Sequence, residues 1–176
     1  FNESFATAVE QVGIERWLVA REAETGDAAP RQEWQGFAAR RSDFVALLKR
    51  HRAALEAAYA SPASDDDKRA AKREIFDALR RDYQALKQQW GGYAGYDRWF
   101  AQPLTNAHLA SVATYTERVP AFRVLLAQHG DDLPAFYSAA RRLGGLPKPE
   151  RERALAALAQ PASASILTAR SPGGPD

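Results

Sequence analysis

The feature that most constrains the fold is a pair of long amphipathic segments joined by a short proline turn. In the first segment, residues 32–60, the apolar positions alternate steps of seven and four, which is the spacing of a heptad seam. In the second, residues 64–90, they follow steps of four and three, which is the helical repeat. Two helices joined so closely pair antiparallel. The sequence therefore predicts a helical hairpin over residues 31–90, about 40 Å long.

The apolar positions of this hairpin define its expected core. They are Phe37, Phe44, Leu48, Leu55 and Tyr59 in the first segment and Ile75, Leu79, Tyr83, Leu86 and Trp90 in the second. The start of the second helix is marked by Ser64, a favourable N-cap, followed by three aspartates at the positive end of the helix dipole. Two glycines at 91–92 predict its end.

The rest of the chain also has helical patterns and no strand-like alternation. A first helix is predicted over residues 1–24, with Phe5, Val9, Val12 and Trp17 forming an apolar stripe. All four tryptophans of the chain are expected in the core. The region 93–159 begins with an aromatic, glycine-rich stretch at residues 93–100 that has no clean period, and smaller helices are predicted after it. The Pro/Ser/Gly-rich segment 160–176 is expected to be a disordered tail. The predicted class is all-α, with one helical region over residues 1–159.

Composition excludes several kinds of chemistry. The chain has no cysteine, which rules out disulfides and thiolate ligands or nucleophiles. Its 24 Lys and Arg residues are interspersed with 22 Asp and Glu residues, a pattern typical of solvated helix faces, so we expect no nucleic-acid partner. No apolar run reaches the roughly 20 residues of a membrane-spanning helix. Since methionine is absent, we expect that a segment precedes Phe1 in the gene.

The first ten residues carry a pattern that suits one half of a zinc site. A catalytic zinc takes three protein ligands and keeps an open position, and two His with one Glu is a standard set. When two ligands lie one turn apart on one helix, the third comes from a neighbouring helix. Glu3 suits that role, because Ala6 on the same face permits close packing. Glu10, two turns further along, suits a hydrogen bond to a zinc-bound histidine. The alternative is an acidic first turn that only complements the helix dipole.

The same residues resemble those of a known class of enzymes. The pattern Asn-Glu-x-Phe-Ala-x-x-x-Glu at residues 2–10 resembles the helix that carries the third zinc ligand in gluzincin metallopeptidases. Residues 1–159 as a whole look like the C-terminal half of a family of predicted bacterial zinc aminopeptidases. The matching segments are residues 1–7, 81–87, 103–109, Tyr115, 119–122 and 132–137.

The resemblance implies a zinc-dependent peptidase that hydrolyses peptide substrates. By it, Glu3 is the third zinc ligand, and Asn2 and Glu10 support the metal site from outside the ligand set. The other two ligands and the general base would lie on a missing N-terminal half that carries a His-Glu-x-x-His helix, because no two histidines of this chain stand four apart. The chain would then be a C-terminal part that is inactive alone. Family members look like bacterial envelope proteins, periplasmic or lipid-anchored through their N-terminus.

Three polar residues are candidate catalytic donors to the oxyanion that forms during peptide hydrolysis. Tyr115, His108 and Asn106 cluster in an irregular segment flanked by aromatic residues. Each has a structural alternative: the tyrosine as packing, the histidine as a core or surface residue, and Asn106 as a helix cap. The family pattern commonly has Asn-Asn-Ala where this chain has Thr105-Asn106-Ala107, which leaves the role of position 105 open.

A different class of function remains open at this point. The hairpin has a mild excess of basic residues over residues 40–90. A non-catalytic helical module that binds an acidic protein partner or a membrane surface through this charged hairpin would show salt-dependent binding.

Overall fold

The computed structural model describes residues 1–159, and every regular element in that range is an α-helix, which confirms the predicted class. The prediction for residues 160–176 lies outside the described part. The helices are α1 (Asn2–Thr25), α2 (Ala29–Ala60), α3 (Asp65–Gln89), α4 (Asp97–Ala101), α5 (Asn106–Thr116), α6 (Val119–Gln128), α7 (Leu133–Gly144) and α8 (Lys148–Ala159).

The contacts divide the chain into two compact units, the first comprising Phe1–Val119 and the second beginning at Pro120. In the first unit α2 packs along α3, while α5 contacts both α1 and α2. In the second unit α7 contacts α8, and the Phe122 ring meets the Phe136 ring edge-on with centroids 6.5 Å apart. All candidate residues for a zinc site or for catalysis belong to the first unit.

The centre of the predicted hairpin seam is confirmed. Leu79 and Tyr83 of α3 are completely buried, and Phe44, Leu48 and Leu55 of α2 are buried against them. Ser64 caps α3 as predicted, its hydroxyl accepting the Asp67 amide at 3.2 Å.

Both ends of the predicted seam on α2 were assigned wrongly to the core. Phe37 is 37% exposed and Tyr59 is 39% exposed. Because α2 has 32 residues and α3 has 25, the first turns of α2 extend beyond the end of the antiparallel α3, and Phe37 lies close to that overhang. Tyr59 lies in the last turn of α2, and its hydroxyl accepts a hydrogen bond from Asn106 at 3.0 Å.

The prediction for Trp17 is also wrong, since this side chain is 56% exposed. α1 buries Ser4, Ala8 and Val12 at steps of four, and Leu18 continues that face in place of its neighbour. The Trp17 ring instead contacts the guanidinium of Arg21 at 5.5 Å. The other three tryptophans are half-buried, so they only partly fit the predicted core position.

One carboxylate joins the two helices of the hairpin, and another joins the hairpin to α4. Asp82 on α3 accepts a hydrogen bond from Arg50 of α2 at 2.7 Å, and its Oδ2 lies 3.0 Å from Nε2 of the buried His51. Asp97 of α4 accepts the hydroxyl of Tyr83 at 2.5 Å and the ammonium of Lys87 at 2.6 Å. The pKa of the Tyr83 hydroxyl is raised by burial, which is the larger cause, and next by the hydrogen bond to Asp97.

We expect the free energy of unfolding of Asp82→Asn to fall less steeply than that of the wild type as the pH is lowered. The hydrogen bond to His51, and next that to Arg50, holds the pKa of Asp82 below its ordinary value of 3.8. A carboxylate with a lowered pKa in the folded state stabilises the fold above its unfolded pKa, and that contribution is lost as pH falls through the folded value. Urea unfolding at a series of pH values from 6 downward measures the effect. Asp97→Asn should act in the same direction, because Lys87 and Tyr83 lower the pKa of Asp97. An acid limb unchanged in Asp82→Asn would contradict the prediction.

Tyr83→Phe is expected to lower the free energy of unfolding by about 1 kcal/mol, the usual net value of one hydrogen bond. The ring stays stacked on Phe100, with centroids 3.9 Å apart, and Asp97 keeps its ion pair with Lys87. Asp97→Ala should cost more, because it leaves the buried Tyr83 hydroxyl without an acceptor. Urea titrations of both variants check the order, and a larger loss for Tyr83→Phe would contradict it.

Candidate functional site

The first turn of α1 presents Glu3 to solvent. Glu3 is the acidic residue of that turn, and Asn2, Ala6 and Glu10 are exposed on the same helix. Glu3 makes no hydrogen bond or ion pair within residues 1–159. Its neighbour Ser4, in contrast, is completely buried. The turn therefore has one side fixed in the protein by Ser4 and another side, with Glu3, left open.

Ser4 fastens this turn to another helix. Its hydroxyl donates a hydrogen bond of 3.1 Å to the backbone carbonyl of Thr114, a residue 110 positions away in the sequence. The bond joins the first turn of α1 to the last turn of α5. Glu3 and Tyr115, each the chain neighbour of one bonded residue, are thereby carried on adjacent turns. Tyr115 is 46% exposed, so its phenol is accessible.

The other two candidate donors lie at the opposite end of α5. Thr105 and His108 form a capping box at its start, in which His108 Nδ1 accepts the Thr105 amide at 3.1 Å. With Nδ1 as acceptor, the neutral ring carries its proton on Nε2. Trp99 stands at right angles to this ring, with centroids 6.1 Å apart. Asn106 follows Thr105 as the first residue of the helix rather than as its cap.

The structure separates the three predicted donors into two groups. Tyr115 belongs with the turn of Glu3, whereas Asn106 and His108 belong with the end of the hairpin. Asn106 and Tyr115 are nine residues apart on one helix, which corresponds to about 13 Å along its axis. The residue missed by the sequence analysis is Tyr59, the hydrogen-bond partner of Asn106. Its period placed it in the hairpin core, and no sequence signal marked it as exposed.

The residues present fit a shared zinc site better than a complete one. Glu3 has an accessible carboxylate without a competing partner in the described part of the chain, which suits a metal ligand. Within residues 1–159 no three His, Cys, Asp or Glu side chains are grouped closely enough to hold a metal ion. His51 is engaged with Asp82, and His129 Nδ1 lies 2.8 Å from the Leu125 carbonyl oxygen. The predicted ligand Glu3 is therefore open to solvent, whereas the side chains of His51 and His129 are already engaged.

A separate basic cavity lies between α3 and α4. Its volume is about 360 Å³, and it contains none of the residues discussed for the zinc site. The lining residues are Arg80, Arg81, Tyr83, Gln84, Lys87, Asp97, Phe100 and Ala101. The lining thus has three cationic side chains and one carboxylate, with Lys87 paired to Asp97 and the Tyr83 ring stacked on Phe100. Among the helices of residues 1–159, none is both long and apolar enough to cross a membrane.

Comparison with known proteins assigns the chain at the level of a family. No curated protein and no solved structure matches it. One family model matches residues 1–155, a range that contains the whole first unit and every candidate site residue. On this match, the chain belongs to the family described as "Putative aminopeptidase".

Proposed function

We propose that this chain is part of a zinc-dependent aminopeptidase of gluzincin type, to which it contributes Glu3 as a metal ligand and Tyr115 as a donor to the substrate. The observation that supports the proposal is the hydrogen bond between Ser4 and Thr114, which joins the turn that carries the exposed Glu3 to the turn that carries the accessible Tyr115. Membership of an aminopeptidase family supports the peptidase role in general terms.

Glu3 would hold zinc through its carboxylate, with two histidines and the general base coming from an upstream His-Glu-x-x-His segment. Bound zinc polarises a peptide carbonyl and lowers the pKa of a water molecule. Glu10 and Asn2, exposed on the same helix, would hydrogen-bond to the histidine ligands and orient them. The open side of α1 is the part of this chain on which those ligands would lie.

Tyr115 would donate its phenolic proton in a hydrogen bond to the carbonyl oxygen of the scissile peptide as negative charge develops there. Donors that stabilise one oxyanion must each lie within about 3 Å of it. Asn106 and His108 begin roughly two to three helical turns away from Tyr115 on α5, so they are poorly suited to the same oxygen. We therefore favour Tyr115 among the three candidates.

The test of this function uses the full-length protein, including its upstream segment. We expect one tightly bound zinc per chain and release of the first residue from peptides with a free amino terminus. N-acetylated copies of the same peptides should remain uncut, which separates an aminopeptidase from an endopeptidase. Full-length protein that binds no zinc would refute the proposal.

A second candidate is a helical module that binds an acidic protein partner through the basic cavity between α3 and α4. The observation in its favour is the lining of this cavity, which has Arg80, Arg81 and Lys87 but only one carboxylate, that of Asp97. Binding of an acidic peptide that weakens in about 1 M salt, where the Debye length is roughly 3 Å, and that is lost in Arg81→Ala, would support this function. No binding at low salt would exclude it.

A further inference from the structure

We propose that Ser4 is a positioning residue of the candidate active site, whose hydroxyl fixes the turn that carries Glu3 against the turn that carries Tyr115. This inference rests on the proposed function. Ser4 itself touches neither metal nor substrate in this scheme, because its side chain is completely buried.

The chemistry of the contact explains why a serine holds it. The Ser4 hydroxyl of α1 donates to the Thr114 carbonyl of α5 and not to a carbonyl of its own helix. Thr114 has one of the last four carbonyl groups of α5, the set that a helix cannot satisfy by itself. Burying either polar group without a partner would cost free energy, and the hydrogen bond between them removes that cost for both. The bond therefore joins a buried hydroxyl of α1 to a carbonyl at the end of α5.

The bond also constrains how α1 can shift along α5. The neighbouring buried residues of α1 are Thr7, Ala8 and Val12, and the burial of their apolar surface has no preferred direction. A hydrogen bond depends on distance and angle, so it sets the offset of the two helices. Glu3 and Tyr115 depend on that offset, because they extend from different helices. An error of about 1 Å in the position of a catalytic group can lower a rate about 100-fold.

The test is a double-mutant cycle in the full-length protein. We expect Ser4→Ala to lower kcat by about tenfold, a partial misplacement, with KM nearly unchanged and one zinc per chain retained. In the Tyr115→Phe background the same change should alter kcat by less than about twofold, because the group that Ser4 positions is already gone. Independent, multiplicative effects in the cycle would overturn the proposal, as would a kcat unchanged in Ser4→Ala.

A matched control separates positioning from stability. Thr7→Ala removes another buried hydroxyl from α1. It should lower the melting temperature as much as Ser4→Ala while leaving kcat within about twofold, and equal losses of kcat in both variants would overturn the proposal. If Ser4→Ala does not fold, Ser4→Cys keeps a weaker donor and should give an intermediate kcat with the same dependence on Tyr115. If Ser4→Ala keeps the wild-type kcat while Glu3→Gln is inactive, only this inference is refuted. If Glu3→Gln remains active and still binds zinc, the proposed function itself is refuted.

Discussion

Glu3→Gln in the full-length protein is expected to abolish tight zinc binding and to lower kcat/KM at least about a thousandfold. The amide keeps the shape of the side chain but removes the charged oxygen that binds the metal. That loss exceeds the roughly 10- to 100-fold expected for residues that only support a ligand. Folding should be unaffected, because Glu3 is exposed and makes no hydrogen bond or ion pair in the described part of the chain. Zinc per chain after dialysis and the rate of peptide hydrolysis measure the two effects.

Two glutamates of the same helix provide the controls for Glu3. Glu24→Gln changes another exposed carboxylate in the last turn of α1 and should leave zinc content and rate at wild-type values. The metal affinity of Glu10→Gln should lie between those of Glu3→Gln and Glu24→Gln, about 10- to 100-fold below wild type, if Glu10 orients a ligand. Full zinc content and activity in Glu3→Gln would show that the acidic first turn only complements the helix dipole.

Tyr115→Phe is the second large effect, with kcat expected to fall about 100- to 1000-fold while zinc content stays at one per chain. The substitution removes only the phenolic oxygen, and the half-exposed ring keeps its packing. A donor that acts in the transition state lowers kcat when it is lost and has little effect on KM. Steady-state kinetics on a peptide with a free amino terminus separates the two constants.

Tyr137→Phe removes a phenolic oxygen from a similarly exposed ring on α7 that is not a candidate donor, and it is expected to leave the kinetics unchanged. If Tyr115→Phe retained its kcat while His108→Ala or Asn106→Ala lowered it, the donor would lie at the other end of α5. The scissile bond of the substrate would then have to lie near Asn106 and His108 and not near Tyr115.

The long helices were predictable because their periodicity and end signals agree. The start of α3 at Ser64 and the seam at Leu48 and Leu79 follow from local residue chemistry. The five-residue α4 was not predicted, since so short a helix depends on its partners in the fold. Its Phe100 stacks on Tyr83, and Tyr96 just before it stacks on Phe44 with centroids 4.0 Å apart. Such contacts leave no period in the sequence.

The candidate site was predictable only in part, for a related reason. Glu3 was identified from a local pattern of residue types, which any sequence displays directly. The contact of Ser4 with Thr114 joins positions 110 residues apart, and neither residue looks unusual alone. The choice of Tyr115 over Asn106 and His108 likewise required the direction of α5, which the sequence does not provide.

The link between Ser4 and Thr114 has a consequence for the order in which the protein folds. The chain between these residues contains the entire helical hairpin, so the contact closes a loop that is large unless the hairpin has already formed. Helices and the hairpin assemble through contacts between near neighbours, which form early, whereas pairings between distant residues form late. A folding intermediate with a complete hairpin would still keep Glu3 and Tyr115 apart. Peptide hydrolysis would therefore begin only when α1 has docked on α5, so a nascent or partly folded chain would not cleave its surroundings.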